Sequence, residues 1–537
     1  MSSPKAPRST PALHWGVITT VSERLTLIAW SAVGLIALVA LRNVTVDDAF
    51  IGWRHGRNLA EHGVYSFSPG GPRIEAATST TYGLLGAVPG LIGIDTVFFF
   101  KLVALGVVVT FLFLAKRVSR TDSTGGWLVA LLALAGPAQA VHIWSGLETG
   151  LFVLLATVIC LASVGRLKIS LSALGLVCCL ALLTRQESLL FIVGAVAVHP
   201  IKPPTEEITS RRRVGPRVWH RLNLTRDVWL GPMVLFLVLT VFRFIYFGSL
   251  VPNTFATKTG SQSVGSMITR SLHNLGLFIP VVLVTIGAIQ LVTGEAKRRI
   301  IGLAVIAFSG AAVAYLPSVL AMNYAQRFQF QIAWPLVIAA LVVSGAPALK
   351  RIVTGVVASV ILFVAIPFPY SAYRDLVADL PRMDASVGEV ARVLADSTIP
   401  DGVVVMGDAG LLPFVSGWEL LDTRFLGTPS NVGSSGIASQ IVGTKSMVLL
   451  LYARSGDRDG LRSEEAVYEA AAVRERFIFL GGLQARENYW FHLWVSPDLA
   501  RRGEVVDRLA QAIENATDIN ESDRVGDSVR GWFWTVG

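Results

Sequence analysis

Over its first 370 residues the chain alternates long apolar runs with short polar breaks. The runs lie near 25–41, 97–115, 127–143, 149–165, 169–184, 188–199, 228–247, 272–293, 300–320, 329–347 and 352–370. Most approach the length of about 17–25 residues that an apolar bilayer core demands of a helix. A further stretch, Tyr82–Ile94, is short and broken by Pro89 and four glycines. It reads as an interfacial helix or a re-entrant piece rather than a crossing. The pattern predicts about eleven transmembrane helices.

The polar breaks give the expected sidedness. Alternate breaks carry Lys116, Arg117 and Arg120; Arg166 and Lys168; Lys202, Arg211, Arg212 and Arg213; Lys297, Arg298 and Arg299; Lys350 and Arg351. Basic residues mark cytoplasmic loops, so eleven spans put the N-terminus inside. Counting Tyr82–Ile94 as a twelfth would reverse every later loop against that rule. The first run follows a polar leader, 1–24, and no small-residue cleavage pattern comes after it; a retained span is expected rather than a removed signal. The protein is thus expected in the cytoplasmic membrane, with everything beyond 370 outside.

That tail has a different pattern. Val387, Val390, Ala391 and Leu394 repeat as on one helix face, and Ser386 and Glu389 have capping-box spacing. Val403–Val405, Met447–Tyr452, Phe477–Leu480 and Phe491–Val495 read as short buried strands, with helices near 464–475 and 503–515. The expected layout is a leader 1–24, a membrane domain 25–370 whose first outer loop is 42–96, and a soluble α/β domain 371–537.

Composition agrees. Apolar residues make up 53% of the 537 and charged residues 15%, against about 25% charged in soluble chains. The net charge of +9 is spent largely in the inner loops, so it points to no nucleic-acid partner. Cys160, Cys178 and Cys179 all fall inside apolar runs and offer no disulfide framework or metal motif.

The candidate chemistry collects on one side. Lys101, His142, Glu148, Arg185, Glu187, Arg243 and Arg327 all fall near the outer ends of their runs. One such charge snorkels easily to water; seven on one side suggest a polar cavity. The first outer loop adds VTVDDAFIGWRHGRNLAEHGVYSFSPGGPRIEAATSTTYG. Its Asp47 and Asp48 fit two readings: favourable charges at the start of a surface helix Ala49–Glu61 that offers Phe50, Trp53 and Leu59 to the interface, or an acid/base pair. Arg54, Glu75, Thr78, Glu187 and Asn253 suit acceptor binding or support. Arg185, Lys258 and Arg327 suit a phosphate, though Arg185 and Glu187 also suit a mutual ion pair, and Lys258 and Arg327 also suit lipid headgroups. No Walker loop, HExxH, GxSxG or dinucleotide fingerprint occurs in a suitable context. Energy for any reaction then has to arrive with the substrate.

The order DDAFI…NLAEHGVYSFSPGG…IEAATSTTYG, SGLETGLF, LTRQESLL, YFGSLVPNTFATK, RFQF resembles the GT-C glycosyltransferases that use polyprenyl-phosphate sugars. It is most similar to the terminal arabinofuranosyltransferases of the actinobacterial cell wall. The resemblance spans the membrane part and extends weakly through GDAGLLPFVSGWELLDTRFLG; the tail is shorter than the arabinose enzymes lead one to expect. It implies an α-helical polytopic GT-C fold with an outer-face active site. Either Asp47 or Asp48 would be the acid/base, with Glu148 a second acidic member. The implied partners are a polyprenyl-phosphate sugar donor, a polysaccharide or glycolipid acceptor and the bilayer. No cofactor is required; a divalent cation held by Asp47 and Asp48 is compatible with the site but not demanded. Alternatives are a mannosyl- or aminosugar transferase, or a flippase for lipid-linked sugars.

Overall fold

A computed structural model describes residues 44–119, 137–200, 214–254, 264–318, 326–364, 383–397, 402–424, 447–457, 476–486 and 489–522, with single positions between them. The chain is mostly helical, with one small sheet. The helices of the first part are α1 (Asp47–His62), α2 (Thr80–Leu85), α3 (Ala87–Ile92), α4 (Thr96–Ser119), α5 (Pro137–Trp144), α6 (Thr149–Ser163), α7 (Leu171–Thr184) and α8 (Ser188–Val198). After these come α9 (Val214–Leu224), α10 (Arg226–Phe247), α11 (Val264–Gln290), α12 (Gly294–Tyr315), α13 (Arg327–Val343) and α14 (Ala348–Val364).

Every described apolar run is helical, but the helices are not alike. Four are long and apolar enough to cross a membrane: Thr96–Val118, Arg226–Phe247, Gly265–Gln290 and Gly294–Tyr315. A fifth arises if α5 and α6, bent by 115° at their junction, count as one span. The run at 25–41 and much of that at 127–143 lie outside the described residues. The coarser reading stands: a mostly helical chain with four or five helices long and apolar enough to cross a membrane among the described residues. Helices α7, α8 and α13 are shorter. An apolar run in sequence does not distinguish a lipid-facing span from a helix sheathed by other helices. Helix α13 is the second kind, buried from Arg327 to Val342 against α6, α11 and α12.

The outer surface is apolar. On α4, Phe98, Leu102, Leu105, Val109 and Phe113 point outward, while Phe100, Ala104, Val107 and Phe111 face the core. On α10, Met233, Leu237, Val241 and Phe244 are exposed. Contiguous exposed apolar surface on this scale is stable in lipid, not in water.

Beyond 383 the elements shorten. A π-helical turn, Asp384–Gly388, runs straight into α15 (Glu389–Asp396). Ser386 is thus inside the helical segment rather than at the helix start that its spacing to Glu389 suggests. Next come β1 (Val403–Met406), α16 (Leu411–Ser416), β2 (Glu419–Asp422), β3 (Met447–Ala453), β4 (Ile478–Arg486), β5 (Tyr489–Val495), α17 (Pro497–Ala500) and α18 (Gly503–Ser522). The sheet order is β2-β1-β3-β5-β4. Strand β1 pairs parallel with β2 (Val404 opposite Leu420) and β3 (Val404 opposite Val448); β5 runs antiparallel to β3 and β4. Both faces of β1 and β3 are buried, as their unbroken aliphatic runs require. The helix expected at 464–475 lies outside the described residues.

The membrane and sheet parts interlock. Ile51, Phe67 and Ala76 of the first loop belong to the apolar core of the sheet domain. In return Leu411 and Phe414 of α16 join the core of the membrane part. Helix α1 was expected on a surface; instead Phe50 and Trp53 are buried, with Phe50 packed on Phe414 at a ring separation of 5.2 Å.

Leu105→Asp on the outward stripe of α4 should cost about 3 kcal/mol of membrane insertion. The carbonate-resistant membrane fraction is expected to fall severalfold, and Leu105→Val should leave it unchanged.

Candidate functional site

A cleft, partly open to solvent, lies where the first loop, the α5–α6 turn, the α7–α8 junction and the start of α13 meet. Its wall includes Asp48, Thr78, Glu148, Arg185 and Arg327, five residues from four separate sequence motifs.

Each is placed by a local device. Asp48 stands in the first turn of α1, where its charge suits the helix end. Thr78 follows the extended segment Ile74–Ala76, which His55 holds. His55 Nδ1 lies 2.8 Å from the Ile51 carbonyl, and the Ala76 amide donates to Nε2 at 3.1 Å. Nε2 also lies 3.2 Å from the Ile74 carbonyl, and burial lowers the His55 pKa to about 4. Gly146 makes the α5–α6 turn at φ 78°; a Cβ there would meet Trp53 at 2.6 Å. The turn is held from the first loop by Val46, whose amide donates to the Ser145 carbonyl at 3.0 Å.

The cleft wall is a buried ion network. Glu148 Oε1 accepts from Arg185 Nη1 at 2.6 Å and from Arg327 Nη2 at 2.7 Å. Arg327 Nε donates to Thr149 Oγ1 at 3.1 Å. Arg185 Nη2 also donates to Glu187 Oε1 at 2.7 Å. That oxygen accepts from the Tyr315 hydroxyl at 2.5 Å, and Gln331 Nε2 donates to the same hydroxyl at 2.8 Å. Glu148, Arg185 and Arg327 are buried, whereas Asp48 is half-buried. Removing these charges from water costs several kcal/mol per ion, recovered only through such pairing. Glu148 therefore orients two arginines and is committed to them.

No family model, no characterised protein and no solved structure matches the chain. The site has to be read from its geometry.

The two adjacent aspartates part company. Asp48 lines the cleft, but the buried Asp47 accepts at Oδ1 from the Leu411 amide of α16, at 2.7 Å. In a helix, consecutive side chains point about 100° apart, and here that difference places Asp48 at the cleft and Asp47 at the interface with α16. Arg54 is also interfacial. Its guanidinium donates to the Trp418 carbonyl at 2.7 Å, to the Phe67 carbonyl at 2.8 Å and to the Pro413 carbonyl. Glu75 pairs with Arg243 at 2.7 and 3.1 Å, away from the cleft wall. Asn253 donates through Nδ2 to the Thr428 carbonyl at 3.2 Å, while its neighbour Thr254 lines the cleft. Glu187 sits behind Arg185 as its second partner. Lys258 lies outside the described residues.

Of the other charges expected in a cavity, Lys101 ties the Val44 and Trp144 carbonyls at 2.6 and 2.8 Å, and His142 packs on Phe330. Tyr315 and Gln331 join the network without any sequence signal, since both sit inside apolar runs. Among the described residues no three His, Cys, Asp or Glu side chains converge to hold a metal ion, and Asp47, half of the expected pair, is turned to Leu411.

Two outcomes follow. Glu148→Gln leaves Arg327 and Arg185 without their shared carboxylate and should lower stability by about 3 kcal/mol, read as a lower thermal midpoint in detergent. Asp48→Asn should change it by less than about 1 kcal/mol.

Asp47 has a pH signature. Burial, then the charges of Asp408 and Asp48, push its carboxyl up to about 7 against hydrogen bonds from Leu411 and Gly410. In the unfolded chain it ionises near pH 4. Between those values the folded protein binds the extra proton, so this contribution is complete at low pH and is lost as pH rises to about 7. The slope is at most about 1.4 kcal/mol per pH unit. The thermal midpoint should fall from pH 5 to 7.5, and less steeply in Asp47→Asn.

Proposed function

We propose that the protein is a membrane glycosyltransferase of the GT-C type. It moves a sugar from a polyprenyl-phosphate donor to a cell-wall or envelope glycan acceptor on the outer face of the cytoplasmic membrane. Arabinofuranose is the sugar favoured by the sequence resemblance. The observation that carries the reading is the cleft itself: one half-buried carboxylate, Asp48, faces a wall holding Arg185 and Arg327.

The chemistry of the transfer needs both. The acceptor hydroxyl loses its proton to Asp48 as its oxygen bonds to the anomeric carbon. The bond from that carbon to the phosphate oxygen breaks, and polyprenyl phosphate leaves with the electron pair. Its added negative charge develops beside two guanidinium groups already oriented by Glu148, so no reorganisation is needed as the charge appears. Because Glu148 and Glu187 balance the two arginines, the wall is formally neutral and stays buried more cheaply than two bare cations would. The departing lipid keeps its tail in the bilayer that the exposed faces of α4 and α10 occupy.

Purified protein given polyprenyl-phosphate arabinose and a short arabinan acceptor is expected to form a new glycosidic bond. Asp48→Asn should reduce turnover by about 100-fold or more with the thermal midpoint preserved. Unchanged turnover in a folded Asp48→Asn variant would reject this role.

A further inference from the structure

The cleft rim is fastened to the sheet domain at two places, each by a residue whose successor faces the cleft. Asp47 accepts from Leu411 of α16 and is followed by Asp48; Asn253 donates to the Thr428 carbonyl and is followed by Thr254. Asn253 also donates its own amide to the Glu75 carbonyl at 3.0 Å, joining the two rim segments.

The hold on α1 extends along the helix. Arg54 donates to the Pro413 and Trp418 carbonyls, and Arg57, three residues on, donates to the Phe414 carbonyl. Asp47 thus grips the start of α16 while Arg54 and Arg57 grip its end. Gly410 lies against Asp47 so closely that a Cβ would collide with the carboxylate. Ile51 and Ala76 are in the sheet domain's core and also line the cleft.

We propose that the sheet domain is a positioning element of the cleft, fastening the rim through Asp47 and Asn253 so that Asp48 and Thr254 stand in register with the substrate. Grips spread over about three turns fix the rotation of α1 about its axis as well as its place. A side-chain tip about 6 Å from that axis moves about 2 Å for a 20° rotation, and about 1 Å of misplacement costs up to about 100-fold in rate. Asp47 and Asn253 are positioning residues; neither touches the reacting atoms. The inference rests on reading the cleft as a transferase site.

The test uses the full chain in lipid nanodiscs, with Asp47→Ala, Asn253→Ala and Gly410→Ala, followed by hydrogen exchange and by transfer from polyprenyl-phosphate arabinose. Exchange in 47–54 and 411–416 should rise severalfold in Asp47→Ala and Gly410→Ala, and exchange in 251–254 should rise in Asn253→Ala. Turnover should fall about 10- to 100-fold, with the donor KM within about threefold of wild type. Loosened exchange with unchanged turnover would overturn the positioning role, as would unchanged exchange in all three variants. A wild-type protein that transfers nothing defeats the transferase reading alone; the exchange result then still upholds or overturns the fastening of the rim.

Discussion

A single carboxylate shared by two arginines organises this molecule. Glu148 accepts from Arg185 and Arg327 in a setting from which water is largely removed. Any member of the trio would be intolerable alone, because an unpaired ion at membrane depth costs several kcal/mol. Pairing converts that penalty into a positional constraint. The α5–α6 turn, the α7–α8 junction and the first residue of α13 must meet at one point, and the cleft is the space that meeting leaves. Tyr315 and Gln331 extend the constraint into α12 and α13.

A second constraint comes from outside the bundle. Helix α1 is wedged between the membrane core and the sheet domain, and each side supplies apolar residues to the other's core. This explains why Phe50 and Trp53 are buried although their segment reads as an interfacial helix. It also explains the division of labour between Asp47 and Asp48. Asp47 is buried against the α16 backbone, while its half-buried neighbour Asp48 lines the cleft.

Sequence periodicity reveals the helices and strands because each is encoded locally. The aliphatic runs at 403–405 and 447–452 become β1 and β3, and the described apolar runs become α4 through α8 and α10 through α14, while α9 falls in a stretch that reads as a basic loop. Strand β2 escapes because Glu419–Asp422 is four residues with polar ends, held by pairing to β1 rather than by its own pattern. Site membership is partly legible: Asp48, Glu148, Arg185 and Arg327 announce themselves as charges beside apolar runs. Arg54 and Glu75 carry the same signal but satisfy buried carbonyls and Arg243. Charge at membrane depth marks the need for a partner, and only the fold says whether that partner is protein or substrate.

The location of the cleft follows from what helix ends require. Each α-helix terminus leaves backbone groups without intrahelical partners, and such groups are tolerated at membrane depth only where protein or water satisfies them. Asp48, Glu148, Arg185 and Arg327 all sit at helix boundaries: the first turn of α1, the residue before α6, the residue after α7 and the first residue of α13. Gathering four such ends in one place gives their backbone groups common polar surroundings. Among the described residues, a bundle of apolar helices thereby obtains a polar chamber from charges at helix ends. The broken helices and the ionic wall are one solution to one solvation problem.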